Sequence, residues 1–554
     1  MAPTEEQYRD RGNNPRPVIL NSTPSEIKAH EPLEYKLIGR RLPVSLSRRW
    51  LGALLLLSFL ILALASYWSI MNNGPVADDW GLMYKTAYIP GSELWRLFLA
   101  QSPLFIRPIP FFTVWLFYRL FGLDLMPSHL LNAGMHAVNA FLLVWMLARI
   151  GVPRRTGYLA ALLFLATPLV AESVGWTTGR FDVWALFFML LGLGLYASYL
   201  RQGKRRLFAA AMAATVAAWL SKEPSMTLVG LIPALELLFL IIPAGREQRE
   251  TPWKVRWRAA LRPLSIRMGI LFILFGSYIA LRYAIMGRLG GAPYVPLFGK
   301  PDLRATASTV AALLGPLDRL QSSRIDRFLL TGYVGSLYAL SLGLVIFHWK
   351  QATRGARRTW LFLALFFFSS LVPVYSYFFM TGLGGDLTNS RMYYIPYAPF
   401  ISMMVIGLLE FNWQPLIWRI ALPLALLAVV PVFIVSLNHN NREWERAAVI
   451  SATIAGQTRA ELPDPPDGAK LYYSNVPRLE GAHILASALP ESVKLIYGRR
   501  DLDALYVNPD PAVLRFFRDS SATAGEGYLF KFNWRTEQLT LERGPLRSPE
   551  DKPG

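Results

Sequence analysis

Windows of about 20 nearly uncharged residues recur along this chain, and they restrict it more than any other feature. A helix that long is what crossing about 30 Å of hydrocarbon requires. The first such run begins near Trp50, too late and too long for a cleaved leader, so it reads as a helix that stays. Further runs follow near 126–150, 157–170, 183–200, 207–220, 226–242, 264–286, 328–347, 360–380, 394–409 and 420–437. The expected fold class is therefore a polytopic α-helical membrane protein with about 11 transmembrane helices. With 53% hydrophobic and 13% aromatic residues, the chain does not read as an ordinary soluble enzyme.

The formal net charge of +20 would suggest nucleic acid in a soluble protein. Here the Lys and Arg residues cluster between alternate apolar runs, which is the pattern of loops held on the cytoplasmic side. No nucleic-acid partner is expected. There is no cysteine, so disulfides, thiolate zinc sites and iron–sulfur centres are excluded. Residues 1–49 read as a basic, mostly disordered cytoplasmic tail, with Arg40, Arg41, Arg48 and Arg49 nearest the membrane lipid. Residues 50–446 form the membrane core, with 72–124 as its first extracytoplasmic loop. Within that loop, Ser92–Leu99 reads as a short capped amphipathic helix, and Ile109–Phe121 as an interfacial or re-entrant one.

Residues 457–554 change character and read as a small extracytoplasmic α/β domain. Lys470–Asn475, Val493–Tyr497, Ala504–Val507 and Tyr528–Asn533 favour strands. Helical patterns fall near His483–Leu489 and Ala512–Arg518. An odd number of spans puts this domain outside and the N-terminus inside the cell, in an inner membrane.

Polar groups inside apolar runs need partners or a function. His129, Asn132, His136 and Asn139 share one helical face and should point into the bundle, where interhelical hydrogen bonds satisfy them. The histidines are seven residues apart, about 10 Å along the axis, too far to chelate one ion unaided. At the outer ends of the spans, carboxylates gather with cations: Asp78 and Asp79 with Arg107, Glu172 with Arg180 and Asp182, Lys222 with Glu223, and Arg391 with Tyr393 and Tyr394. Because all four stretches fall on one membrane face, they are expected to form one cleft. The alternative is four separate structural ion pairs.

The order of these motifs resembles the GT-C glycosyltransferases, which transfer sugars from polyprenyl-phosphate carriers, and most of all the transmembrane-and-TPR O-mannosyltransferases. The likeness is carried by Asp78-Asp79, by Arg107-Pro108, and by His129, Asn132 and His136. It continues from Pro168 through Glu172, Val174, Gly179, Arg180 and Asp182, then through Ser221-Lys222-Glu223, Arg391 with Tyr394 and Pro396, and Asn441-Arg442 with Trp444. The chain departs from the family at Thr167, where a histidine is usual, at Ser390, where glutamate is common, and in lacking the TPR array.

The resemblance implies a polyprenyl-phosphate-linked sugar donor, mannose-like, and a hydroxyl acceptor on protein, lipid or glycan. It implies Asp78 or Asp79 as the catalytic base. Donor contacts fall to Arg107, Glu172, Arg180, Asp182, Lys222, Glu223, Arg391 and Tyr394, with arginine suited to grip phosphate oxygens. No cofactor is assigned. A divalent metal on Asp78 and Asp79 stays open, since oxygen ligand pairs arise readily by chance. Two rivals remain. A transporter or flippase of lipid-linked saccharides would carry charges at mid-membrane depth and related halves, neither of which the sequence displays. A polysaccharide polymerase or ligase would need no acidic pair in the first loop.

Overall fold

The computed structural model describes residues 36–37, 40–41, 48–98, 105–242, 252–287, 299–317, 323–383, 387–411, 416–477, 479, 482–485, 488–507 and 527–546. The chain divides into two compact units, Met1–Leu55 and Leu56–Gly554. In the first unit, Lys36–Leu37 (β1) pairs antiparallel with Arg40–Arg41 (β2), and helix α1 (Arg48–Ser66) begins. The rest of the expected disordered tail lies outside the described residues.

Each expected span is a helix. After α1 come α2 (Asp78–Ala87) and α3 (Pro108–Phe121) of the first loop. The bundle continues with α4 (Met126–Ile150), α5 (Arg154–Ala166), the short α6 (Ala171–Gly175), α7 (Arg180–Gln202), α8 (Arg205–Trp219), α9 (Leu228–Ile241) and α10 (Trp253–Met286). Then follow α11 (Leu303–Leu314), α12 (Arg324–His348), α13 (Arg354–Leu371), α14 (Tyr394–Glu410) and α15 (Leu416–Glu461). Among the described residues eight helices are long and apolar enough to cross a membrane, and a bent pair makes a ninth. The apolar part of α1, Trp50–Ser66, and helix α8 are shorter than such a span.

The bent pair has a clear cause. Arg154–Ala166 and Pro168–Gly175 meet at 58°. Thr167 is extended (φ −67°, ψ 135°), as a residue before proline prefers, and its hydroxyl accepts from the Leu169 amide at 3.4 Å. The threonine at the position of the family's usual histidine thus caps the turn that carries Glu172.

The innermost helix is α14, within a span that is 89% buried, whereas the α10 span is only 11% buried. Small residues let the helices close up. A Cβ on Gly194 of α7 would fall 2.0 Å from the Trp145 ring of α4. The expectation that charge gathers at one membrane face needs a correction. Glu236 of α9 bonds Arg267 of α10 and the Tyr196 hydroxyl of α7, toward the helix ends opposite the acidic pair. The carboxylate is tolerated there because a guanidinium and a phenol replace its water.

The first-loop segment Gly91–Leu97 is a 3-10 helix with no side-chain cap, unlike the capped helix expected. The C-terminal sheet has the strand order β4-β3-β5-β6, from β3 (Lys470–Ser474), β4 (Asp503–Val507), β5 (Gly527–Asn533) and β6 (Gln538–Leu546). Val493–Tyr497, expected as a strand, is part of helix α16 (Leu489–Tyr497). The parallel pairing of β3 with β4 demands a crossover, and Leu489 and Val493 bury one face of the helix that makes it. Of the helix expected at His483–Leu489, residues 483–485 are irregular and Leu489 begins α16, while 486–487 and Ala512–Arg518 lie outside the described residues.

Nor does this sheet stand apart as a separate domain; it shares a compact unit with the bundle. Helix α15 is the reason. Its 46 residues extend far past the membrane-length run, for about 70 Å. Asn441 donates to the Ser66 carbonyl at 2.8 Å, Ser451 to the Pro75 carbonyl at 2.7 Å, and Thr458 bonds Tyr473 of β3 at 2.9 Å.

Gly194→Ala tests the close packing of α4 on α7. The added methyl must displace the Trp145 ring, and overpacking of this kind costs about 1–3 kcal/mol. Thermal unfolding in detergent should therefore move to lower temperature, whereas Gly230→Ala, with open space around it, should move much less.

Candidate active site

The site begins where the chain leaves α1. Pro75, Val76 and Ala77 are buried, and Ala77 is held at φ 47°, a backbone region that costs any residue with a Cβ. That kink starts α2, so Asp78 and Asp79 occupy the first helical turn, where exposed amides favour negative charge. The two carboxylates then part company. Asp79 is 2% exposed; its Oδ1 accepts from the Thr178 amide at 2.9 Å and the Thr178 hydroxyl at 2.6 Å. Its Oδ2 accepts from the Val76 amide at 3.3 Å. Asp78 is half-exposed and makes no side-chain hydrogen bond among the described residues.

Burial pushes the Asp79 carboxyl up to about 7, against the pull of the Thr178 and Val76 donors and the charge of Arg180. Arg180 itself is fully buried. It donates to the Thr177 carbonyl at 3.1 Å and the Thr113 hydroxyl at 3.2 Å, and its Nη2 has no hydrogen-bond partner. It therefore acts on Asp79 from below rather than facing the opening.

The remaining charges pair across motifs, not within them as their sequence order suggests. Arg391 binds Glu172 through its amide and its guanidinium, both at 3.0 Å, and stacks 4.5 Å over the Trp176 ring. Lys222 pairs with Asp182 at 2.5 Å. Arg107 pairs with Glu223 at 2.7 Å and lies 4.3 Å over Phe105 and 5.2 Å over Phe181. Arg282 reaches the other Glu223 oxygen at 3.2 Å. The motifs are joined through Trp176, whose indole donates to the Val76 carbonyl at 3.3 Å and stacks on Trp444 of α15 at 5.6 Å. Asp79, Thr178, Trp176, Arg391 and Glu172 thus form one connected cluster, with Lys222, Asp182, Arg107 and Glu223 beside it.

Tyr394 is placed differently from the other residues expected to contact the donor. It is fully buried, its hydroxyl shares a hydrogen bond with His136 Nδ1 at 2.9 Å and accepts from Asn139 at 3.1 Å. It belongs with the polar stripe of α4. There Asn132 donates to the Val174 and Trp176 carbonyls at 3.3 and 3.2 Å, Asn139 to Val183 at 2.9 Å, and His129 bonds the Asn73 carbonyl at 3.3 Å. The stripe holds the turn between α6 and α7, whose backbone carries Thr178. Among the described residues no group of three or more His, Asp or Glu is arranged to hold a metal ion.

Residues 102–262 match the family model described as dolichyl-phosphate-mannose-protein mannosyltransferase. Over that segment the chain is similar to this family of glycosyltransferases. The matched segment includes Arg107, the α4 stripe, the Glu172–Asp182 turn, Lys222 and Glu223. No curated protein sequence matches significantly. Two solved structures are similar to this chain, both of ArnT from Cupriavidus metallidurans, one in the apo state and one bound to undecaprenyl phosphate. Each is 14% identical with a TM-score of 0.48. The first alignment covers 88% of this chain and 94% of ArnT, the second 91% and 100%.

Three residues of the cluster escaped the sequence reading. Thr178 and Trp176 sit at unremarked positions of the Glu172–Asp182 motif, where nothing in the spacing marks them. Arg282 had a signal, a lone guanidinium near the end of an apolar run.

The buried carboxyl gives a pH test. The ordinary Asp value is about 3.9. Between about pH 4 and 7 the unfolded chain releases a proton that folded Asp79 retains, so stability falls as pH rises, then levels off. About three units correspond to ~4 kcal/mol at most. Asp79→Asn cannot titrate, so its stability relative to the wild type should improve from pH 4.5 to 7.5. Thermal unfolding in detergent at several pH values reads the difference, and a flat difference would put the Asp79 carboxyl in its ordinary range.

Proposed function

We propose that this glycosyltransferase moves a mannose-like sugar from a polyprenyl-phosphate carrier to a hydroxyl acceptor on the extracytoplasmic side of the cell membrane, with Asp78 as the base. The observation that carries the assignment is the contrast within the acidic pair. Both oxygens of Asp79 are already taken by three donors. Asp78 alone has free lone pairs and partial access to solvent, which a base needs if it is to reach an incoming hydroxyl. The donor class is supported by the family description, which names a dolichyl-phosphate-linked mannose.

The chemistry is a single displacement. The acceptor oxygen forms a bond to the anomeric carbon while the bond from that carbon to the phosphate oxygen breaks. The electron pair leaves with polyprenyl phosphate, and the acceptor proton passes to Asp78. One base with no second carboxylate acting as nucleophile suits inversion at the anomeric carbon. The phosphate leaves as an anion and needs cations rather than a proton. Arg391 and Arg107 suit that task, since their side chains keep 21% and 17% exposure while Lys222 keeps only 7%. Asp79 is a positioning residue in this scheme, fixing the loop that presents Asp78.

Purified enzyme incubated with radiolabelled polyprenyl-phosphate sugars names the donor directly: one sugar should be released or transferred. With that donor, Asp78→Asn should lose about 10² to 10⁴ in turnover while donor affinity holds, because only the proton acceptor is gone. Arg391→Lys should instead raise KM, since a ring-stacked guanidinium with two N–H groups to offer a phosphate becomes a point charge. Normal turnover in well-folded Asp78→Asn would remove Asp78 as the base.

A further inference from the structure

The bundle has a second charged site, at the end opposite the acidic pair. Helix α7 carries Arg180 in its first turn and Arg201 in its last, about 30 Å apart along the axis. Around Arg201 lies a cavity of about 820 Å³ formed by the ends of α4, α7, α13 and α14. Four guanidinium groups line it, from Arg201, Arg354, Arg357 and Arg358, against a single carboxylate, Glu410. That carboxylate is engaged with the Thr156 hydroxyl at 2.5 Å rather than with any of the four.

Like charges are crowded here. A methyl placed on Gly151 would lie 3.1 Å from Arg358 Nη2 and 3.7 Å from Arg201 Nη2, so two guanidinium groups converge on one spot. Arg358 is 1% exposed; its Nη atoms bond the Ile150 and Ile242 carbonyls, and its Nε is buried without a partner. The Nε of Arg357 is likewise buried and unpartnered. The first turn of α13, capped by Thr353, also lines the cavity and adds the positive end of a helix dipole. Among the described residues none of the four arginines makes an ion pair. Arg201 and Arg354 are exposed at the cavity mouth, whereas a buried guanidinium without a carboxylate, as at Arg358, is costly unless an anion joins it.

We propose that this cavity binds the phosphate headgroup of an anionic membrane phospholipid. The chemistry asks for a multivalent oxygen anion, which guanidinium groups grip bidentately. A lipid is favoured over a soluble ion because the cavity lies at the ends of membrane-length helices, where a headgroup sits while its acyl chains run along the bundle. The basic loops Arg201–Arg206 and Arg354–Arg358 put this end on the cytoplasmic side, where anionic lipid is enriched, and basic pockets between helices there suit such headgroups. The site is independent of the sugar-transfer reading.

The test uses the full-length protein, delipidated in neutral detergent. Its thermal unfolding is followed with added phosphatidylglycerol, phosphatidylcholine or inorganic phosphate. Phosphatidylglycerol should raise the midpoint by several degrees, phosphatidylcholine should not, and millimolar phosphate should give a small fraction of the shift. The double substitution Arg201→Gln with Arg357→Gln spares the carbonyl-bonded Arg358, so it should fold with an unchanged lipid-free midpoint and lose the phosphatidylglycerol shift. An equal shift with phosphatidylcholine, or a shift retained by that variant, overturns the site. A full shift with phosphate alone overturns the lipid as occupant. If the double variant is unstable, native mass spectrometry of single Arg201→Gln decides: undiminished phosphatidylglycerol retention relative to wild type rejects the proposal.

Discussion

The contact on which the site depends is a carboxylate clasp. Asp79 takes the amide and hydroxyl of Thr178 on one oxygen and the amide of Val76 on the other. It thereby ties the segment leaving α1 to the turn between α6 and α7, about a hundred residues later. A lysine or glutamine there would not serve, since only an acceptor with two oxygens satisfies donors arriving from two directions. The clasp also frees its neighbour. With the backbone fixed by Asp79 and by the kink at Ala77, Asp78 has no structural bond to give up.

The contacts around the clasp make it rigid. Thr178 sits in a turn whose carbonyls are held by Asn132, and whose Gly179 has no room for a Cβ, the nearest backbone atoms being 2.5 and 2.6 Å from where one would stand. Below it, the Tyr394 hydroxyl of α14 bonds both His136 and Asn139 of α4. From the other side, α15 reaches past the membrane to stack Trp444 on Trp176 and to receive the Trp80 indole on Ser451 at 3.1 Å. The C-terminal region adds the Ala77 amide bonded to the Ile484 carbonyl at 2.5 Å, and Arg500 at 3.8 Å over Tyr88. The loop bearing the acidic pair is therefore gripped from three directions, which is what a reacting group needs if it is to be preorganised.

The helical bundle was legible in the sequence because hydrocarbon thickness writes itself as run length, and the α4 stripe because a period of 3.6 gathers polar groups on one face. The residues of the charged cluster were legible as types, but their pairings were not. Arg107 is beside Asp78 and Asp79 in the same loop, yet it bonds Glu223. Sequence order says which loops share a membrane face; only packing decides which charge meets which. The strand expected at Val493–Tyr497 failed for a related reason. Val, Ile and Tyr favour strands locally, and the need to cross between parallel β3 and β4 overrode that preference. Glu236 and Arg267 were passed over because a lone charge in an apolar run carries no sign of its partner on another helix.

Charge balance links the site's structure to what it can admit. The cluster holds five carboxylates, Asp78, Asp79, Glu172, Asp182 and Glu223, and five cations, Arg107, Arg180, Lys222, Arg282 and Arg391. At full ionisation it is neutral, so an arriving phosphate finds no net attraction and must share cations already engaged. Sharing is easiest where the cation has spare donors at the surface. Arg391 uses one guanidinium nitrogen on Glu172 and keeps the rest of its fork beside Trp176. Arg107 and Arg282 both lean on Glu223, so that carboxylate stays neutralised when one of them turns to another anion. Burial favours the protonated form of Asp79, and protonation there tips the count toward positive. The carboxylate that locks the loop in place is thus also the group whose protonation sets the charge an anionic ligand meets.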